Sequence, residues 1–248
     1  MKLVADLHVH TVASGHAYST VLENARSAAE KGLELIAITD HGPAMPGGPH
    51  PNYFSNLRVL PRTLFGVEIL KGAEVNIIDA DGGIDLSPRH LKYLDVVLAG
   101  FHGDCYPSCS VEENTRTLVN AIAGGQVDII VHPGNPAFQI DVVQVVKAAI
   151  EHNVLLEINN SSLLGLSRKG SRENCILLAN TAARLKAKVS LGSDAHFACL
   201  VGDLGAGVQL TQEAGLADEQ IINISLEAIR DFLRLRGRKR YMSSAPQI

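Results

Sequence analysis

The sequence predicts an α/β barrel, and three observations predict it. Short β-branched apolar runs recur seven times, helix-patterned stretches lie between most of them, and histidines gather at the ends of the runs. Near-continuous apolar strands alternating with amphipathic helices make a parallel sheet covered on its outer face. A length of 248 residues favours closing that sheet into one barrel. With seven strands in view, a distorted (β/α)7 barrel fits better than the eight-stranded form. An open doubly wound sheet is the alternative. A single domain over residues 1–248 is expected.

The strand-like runs begin at Leu3 (LVADLHVH), Leu33 (LELIAITDHG), Val67 (VEILKGAEVNI), Leu94 (LDVVLAGFH), Val127 (VDIIVHPGN), Val154 (VLLEINNS) and Val189 (VSLGSDAH). Helical patterns start at Ser19, Val111, Ile140 and Ser171, and glycine or asparagine closes several of them. Glycine-rich segments around Gly47 and Gly82 read as loops. The stretch GRKRYMSSAPQI after Arg236 reads as a frayed tail. No internal repeat is evident, and no GxGxxG follows the first strand.

A formal net charge of −4 argues against nucleic-acid binding through bulk charge, which leaves small anions as the expected partners. No run approaches the roughly 20 apolar residues of a membrane span, and MKLVADLHVH lacks the pattern of a secretory leader. The four cysteines form no disulfide framework and are expected to be reduced, which favours a cytoplasmic protein. Cys105 and Cys109, in CYPSC, are looser than CxxC and read as loop cysteines. A homo-oligomer stays open.

Nine metal-type side chains lie in short motifs along almost the whole chain: His8, His10, His16, His41, Glu74, His102, His132, Asp194 and His196. His8 and His10 are one residue apart, so on a strand both point to one face; Asp194 and His196 repeat that spacing. Asp6 shares the face of His8 on a regular strand and would orient its ring. His16 sits in a small-residue loop and is expected to lean over the barrel mouth. His41, His102 and His132 each end an apolar run before glycine or proline, where the backbone bends away from a filled site. Glu74 is placed to reach several histidines and so to bridge two ions.

Any one of these histidines alone is more often a hydrogen-bonded polar residue than a ligand. HxH and DxH at opposite ends of the strand series, with three further histidines at strand exits, need too many accidents. Seven imidazoles with two carboxylates favour zinc, with manganese or iron as alternatives. His50, His90 and His152 lie away from strand ends and are left out.

The motifs DLHVHTVAS, ITDHG, GAEVNI, GFH, VHPGNP, EINNSS and LGSDAH, spread over residues 6–196, resemble those of the PHP family, named for polymerase and histidinol phosphatase. HAYST, HPGNP and NNSS, with SRKGS downstream, resemble its stand-alone bacterial phosphatase branch. The resemblance implies a distorted (β/α)7 barrel with three divalent metal ions. Carried over, His8, His10, Glu74 and Asp194 would hold the first ion, His16, His41 and His196 the second, and Glu74, His102 and His132 the third.

The chemistry expected of such a site is hydrolysis of a small phosphorylated molecule. A metal-bridging water or hydroxide would be the nucleophile, with Glu74 and Asp194 acting through it. Arg168 and Lys169, in LSRKGS, are the candidates for phosphate binding, and Ser161 and Ser162 are weaker ones. Competing readings are an amidohydrolase-type C–N hydrolase, a phosphodiesterase or nuclease, and a non-catalytic metal-stabilised PHP module. Glu74 stands where the amidohydrolase type would carry a bridging lysine, which favours phosphate chemistry.

Overall fold

The computed structural model of the protein describes residues 1–165 and 167–242. Its strands are β1 (Ala5–Val9), β2 (Leu35–Ile38), β3 (Thr63–Leu64), β4 (Val67–Asn76), β5 (Val96–Gly100), β6 (Ile129–Ile130), β7 (Leu155–Asn159) and β8 (Val189–Gly192). Seven of them are parallel, in the order β1-β2-β4-β5-β6-β7-β8; β3 is a short antiparallel addition to β4 that the sequence reading did not anticipate. The predicted distorted (β/α)7 barrel is the fold observed.

Around the sheet lie α1 (Val21–Glu30), α2 (Asn52–Asn56), α3 (Pro88–Leu91), α4 (Val111–Ala123), α5 (Val142–Glu151), α6 (Asn160–Leu164), α7 (Arg172–Leu185), α8 (Gly205–Glu213) and α9 (Leu226–Leu235). Local chemistry sets the starts of the longer ones. Thr20 with Glu23 caps α1 reciprocally, and Ser110 with Glu113 does the same for α4. Helices α8 and α9 lie beyond the helical patterns read from the sequence. Ile229, Phe232 and Leu233 of α9 pack with Ala5, Leu35, Leu70, Val96, Ile129 and Leu155, so this helix contributes to the apolar core beneath the site.

Two irregularities position the site. In β1 the pairing with β2 slips by one residue between Asp6 and Val9. Ala5 and Leu7 therefore join the apolar core cluster, while His8 and His10 follow the slip and turn inward above it. The second irregularity is the closure. A single bridge, Val9 with Ala195, joins the two ends of the sheet, supported by Asp194 N–H donating to the His8 carbonyl at 3.0 Å and His10 N–H to the Ala195 carbonyl at 2.9 Å. Lower down, the side chain of Asn223 fills the seam. Its Oδ1 accepts from Leu191 N–H at 2.7 Å, and its Nδ2 donates to the carbonyls of Ala5 at 3.0 Å and Leu191 at 2.9 Å. One buried amide thus stands in for a missing length of ladder.

The expected frayed tail after Arg236 is corrected over residues 237–242; residues 243–248 lie outside the described part. Arg236 donates to Asp128 and to the carbonyls of Val127 and His152, Arg238 donates to the Gln126 carbonyl and pairs with Asp128, and Arg240 bonds Asp95 and Glu68. Those carboxylates lie at the starts of β6, β5 and β4, so Arg236 and the basic residues after it form a strap across the strand N-termini. Among the described residues no helix is long and apolar enough to cross a membrane.

Candidate metal centre

All nine predicted side chains converge at the C-terminal ends of the strands. His8, His10, His41, Glu74, His132 and Asp194 are buried, His102 and His196 are partly so, and His16 is exposed. Glu74 is the hub. Its Oε2 faces His41 Nδ1 at 2.8 Å and the Nε2 atoms of His8 and His10 at 3.4 Å each. Its Oε1 faces His132 Nε2 at 2.8 Å and His102 Nε2 at 3.2 Å. Asp194 Oδ1 lies 3.3 Å from His10 Nε2 and 3.5 Å from His196 Nδ1. The ring of His16 stacks on those of His41 and His196 at centroid separations of 5.0 and 4.9 Å.

Close packing of backbone makes this convergence possible. A Cβ at Gly192 would lie 2.0 Å from Glu157 Oε1 and 2.6 Å from His8 Cβ, and one at Gly100 would lie 2.6 Å from His132 Cε1. Neither position has room for a side chain. His132, Arg168 and Asp194 adopt left-handed backbone at φ of 36°, 47° and 56°, conformations that non-glycine residues hold only when their surroundings impose them.

Three sets of donor atoms lie within 4.8 Å of one another: His8, His10 and Asp194; His10, His41 and His196; and His41, Glu74 and His102. The hydrogen bonding fits cations. His41 Nδ1, Glu74 Oε2 and both ring nitrogens of His102 are buried without a hydrogen-bond partner, although some of them are close together. An unpaired buried polar atom costs about 1–3 kcal/mol, and one donor atom each from His41, Glu74 and His102 gathers within 4.8 Å, where a ligand that accepts lone pairs would satisfy them. His8 and His10 make the same case. Their Nδ1 atoms face Glu157 at 2.7 Å and Ser14 at 2.9 Å, while their Nε2 atoms meet at 3.0 Å. With both outer nitrogens donating, neutral rings would aim two lone pairs at each other, an arrangement that a proton on His8 or a bound cation relieves.

The electrostatics agree with a site built for positive charge. Burial opposes a charge on Glu74, yet the imidazoles of His41, His8 and His102 hold its carboxyl well below the usual range. Asp194 is likewise buried and held well below, by Arg168 and His8. Burial also disfavours charge on His8, but Glu157, Glu74 and Asp194 outweigh it and raise this imidazole well above the ordinary value. Burial and the neighbouring Arg168 push His132 down to about 4. Burial and His41 lower His10 and His16.

Above the cluster opens a cavity of about 620 Å³, lined in part by Met45, Phe101, Asp104, Ser161, Ser167 and Arg168. Arg168 Nη2 donates to Asp194 Oδ2, and its Nε donates to Ser162 Oγ at 3.0 Å. Lys169 is exposed and lies outside the cavity lining, whereas Ser161 is in it. Cys105 and Cys109 are free, as are Cys175 and Cys199. Burial, then Asp85 and Asp104, push the Cys105 thiol up to about 11, so it is no ready thiolate. His50, His90 and His152 lie outside the cavity lining.

One expectation fails. Asp6 does not orient the His8 ring, because the slip in β1 turns it away; its oxygens accept from the backbone N–H groups of His8, Ser193 and Gly202 instead. The carboxylate on that ring is Glu157, which the sequence reading passed over, although a lone acid inside the apolar run VLLEIN was a signal. Asp40 was missed too. It accepts from Ser14 Oγ at 2.7 Å, Thr11 N–H at 2.6 Å and Tyr53 OH at 2.6 Å, and Ser14 in turn holds His10.

A parallel barrel with an imidazole–carboxylate cluster in its C-terminal mouth defines the class of protein. A family model described as the PHP domain matches residues 6–161, and the chain belongs to that family. A probable phosphatase of Thermoanaerobacter sp. (strain X514) is 50% identical over 240 residues, which span 96% of this chain and 98% of the relative. A probable phosphatase of Shewanella frigidimarina (strain NCIMB 400) is 48% identical over 239 residues, 96% of each chain. Among solved structures, the histidinol phosphate phosphatase of Lactococcus lactis, complexed with zinc, L-histidinol and phosphate, superposes with a TM-score of 0.55 at 17% identity. That match covers 86% of this chain and 94% of the other, and it shows a shared fold.

Proposed function

We propose that this protein is a metal-dependent phosphatase that hydrolyses a small phosphorylated molecule. The observation that carries the reading is the division of Glu74: one carboxylate oxygen faces His8, His10 and His41, the other His102 and His132, at the floor of an open cavity. The names of the relatives, probable phosphatases at about half identity over nearly the whole chain, support the same reaction.

In this reading His8, His10, Glu74 and Asp194 hold one ion, His16, His41 and His196 a second, and Glu74, His102 and His132 a third, with zinc the first choice and manganese or iron the alternatives. Bound there, such ions supply an acidified water and neutralise the phosphoryl oxygens. The chain's own residues do the rest. Glu74 and Asp194 remain ionised at neutral pH and balance the imported charge. Arg168, at the cavity wall, binds the phosphate of the substrate through guanidinium N–H groups not committed to Asp194 and Ser162. Lys169 contributes charge at longer range from the exposed turn. Met45 and Phe101 give the leaving group an apolar surface. The free cysteines fit a cytoplasmic location.

The test is hydrolysis of a generic phosphomonoester by the metal-loaded protein beside a panel of phosphodiesters and amides, with elemental analysis of the same sample. Cleavage of diesters or amides without the monoester would overturn the proposal.

A further inference from the structure

Glu157 is a buried carboxylate at the centre of β7 whose two oxygens serve different segments of the site. Oε1 accepts from His8 Nδ1 at 2.7 Å, and Oε2 accepts from the backbone N–H of His132 at 2.8 Å and from Asn159 Nδ2 at 3.0 Å. Three donors converge on it. Its position is built in: Gly192 presents no side chain beside Oε1, where a Cβ would come within 2.0 Å.

The two segments it holds serve opposite sides of the cluster. His8 faces Glu74 Oε2, and His132 faces Glu74 Oε1. Each needs a particular pose. The His8 ring must carry a hydrogen on Nδ1 so that Nε2 presents a lone pair inward, and an acceptor at Nδ1 enforces that tautomer. His132 must keep a left-handed backbone, φ 36°, to turn its ring toward Glu74, and an acceptor on its N–H offsets that strain.

We infer that Glu157 is a positioning residue for the metal centre, fixing the tautomer of His8 and the backbone of His132 together, and so coupling two ion positions through one carboxylate. This rests on the metal-dependent reading above. A glutamine cannot replace it. With three donors converging, the amide must turn its NH₂ toward at least one of them. Turned toward His8, it reverses the tautomer and places a hydrogen where the ion should be; turned toward His132, it opposes a backbone N–H.

The experiment measures zinc binding by wild type, E157Q and E157D through elemental analysis and competition with a chelator of known affinity. Histidine ¹⁵N spectra of the zinc-loaded proteins and circular dichroism accompany it. E157Q should fold and bind zinc roughly 10–100-fold more weakly, the range typical of losing a partner that orients a ligand. The ring signals of His8 and His132 should move while that of His102 stays. E157D keeps the charge but is one methylene short of reaching both partners, so its affinity should fall between the other two; it carries the test if E157Q fails to fold. Wild-type zinc affinity in either variant, or equal shifts at all histidines, overturns the inference while leaving the metal reading intact. Wild-type protein that takes up no metal overturns both.

Discussion

Arg168 grips one oxygen of Asp194 and leaves the other to the cluster. Its Nη2 donates to Oδ2, while Oδ1 faces His10 Nε2 at 3.3 Å and His8 Nε2 at 3.7 Å. Asn159 Nδ2 adds a 3.4 Å contact to the same Oδ2. The guanidinium at the cavity wall therefore aims this carboxylate, and it and the cluster use different oxygens of Asp194.

That division separates binding from assembly. On the proposed role of Arg168 in binding phosphate, R168K keeps the charge but loses the fork that holds Asp194 and Ser162 and would reach the substrate. KM for a phosphomonoester should rise about 10-fold or more, the effect of losing a charge-assisted hydrogen bond of about 1.5–3 kcal/mol. Metal content should hold, because the retained charge and Asn159 Nδ2 still hold Oδ2 and with it the aim of Oδ1. Steady-state kinetics with elemental analysis decide it: unchanged KM would confine Arg168 to orienting Asp194.

Glu74 has the opposite signature. E74A removes the one carboxylate that both sets of imidazoles share, so metal content and turnover should fall together, turnover by at least about 100-fold, the upper end for losing even an indirect partner of a ligand. Chelation of the wild type should lower its Tm, since ions that bind only the folded chain stabilise it, by about 2.7 kcal/mol at a hundred times Kd. Unchanged stoichiometry in E74A would remove the bridge.

Much of this was legible because metal-type motifs are local. HVH and SDAH place two side chains a strand period apart, and His41, His102 and His132 announce themselves by ending apolar runs. What escaped depended on tertiary register. The slip in β1 moved Asp6 off the face of His8, and pairing alone reveals the slip. Glu157 meets His8 across 149 residues of chain, and Arg240 meets Glu68 across 172. No spacing rule connects such partners, so an acid inside an apolar strand and a basic tail each looked ordinary.

The strap makes a pH prediction. Burial opposes the charge on Glu68, but Arg230, Tyr241 and Arg240 outweigh it and lower its carboxyl below the ordinary 4.5. A group lowered on folding stabilises above its unfolded value and loses that contribution as pH falls through the folded one. The gap in Tm between wild type and E68Q should therefore be full at pH 6 and shrink below about pH 4.5. A gap that is constant from pH 6 to pH 3 would show that the Glu68 charge is not what fastens the strap.

Asn223 offers the sharpest test of how the barrel closes. Its amide accepts from Leu191 N–H and donates to the carbonyls of Ala5 and Leu191, so it pairs both edges of an open seam. N223A leaves buried backbone groups unpaired and should cost roughly 3 kcal/mol, each orphan being worth about 1–3. For a chain of this length that lowers Tm by roughly 6–12 °C. N223D is nearly the same shape, yet it turns an oxygen toward two carbonyls. If polarity is what closes the seam, N223D must destabilise at least as much as N223A. Thermal unfolding of the metal-free proteins separates this from any effect on ions, and an N223D melting like wild type would assign the closure to packing alone.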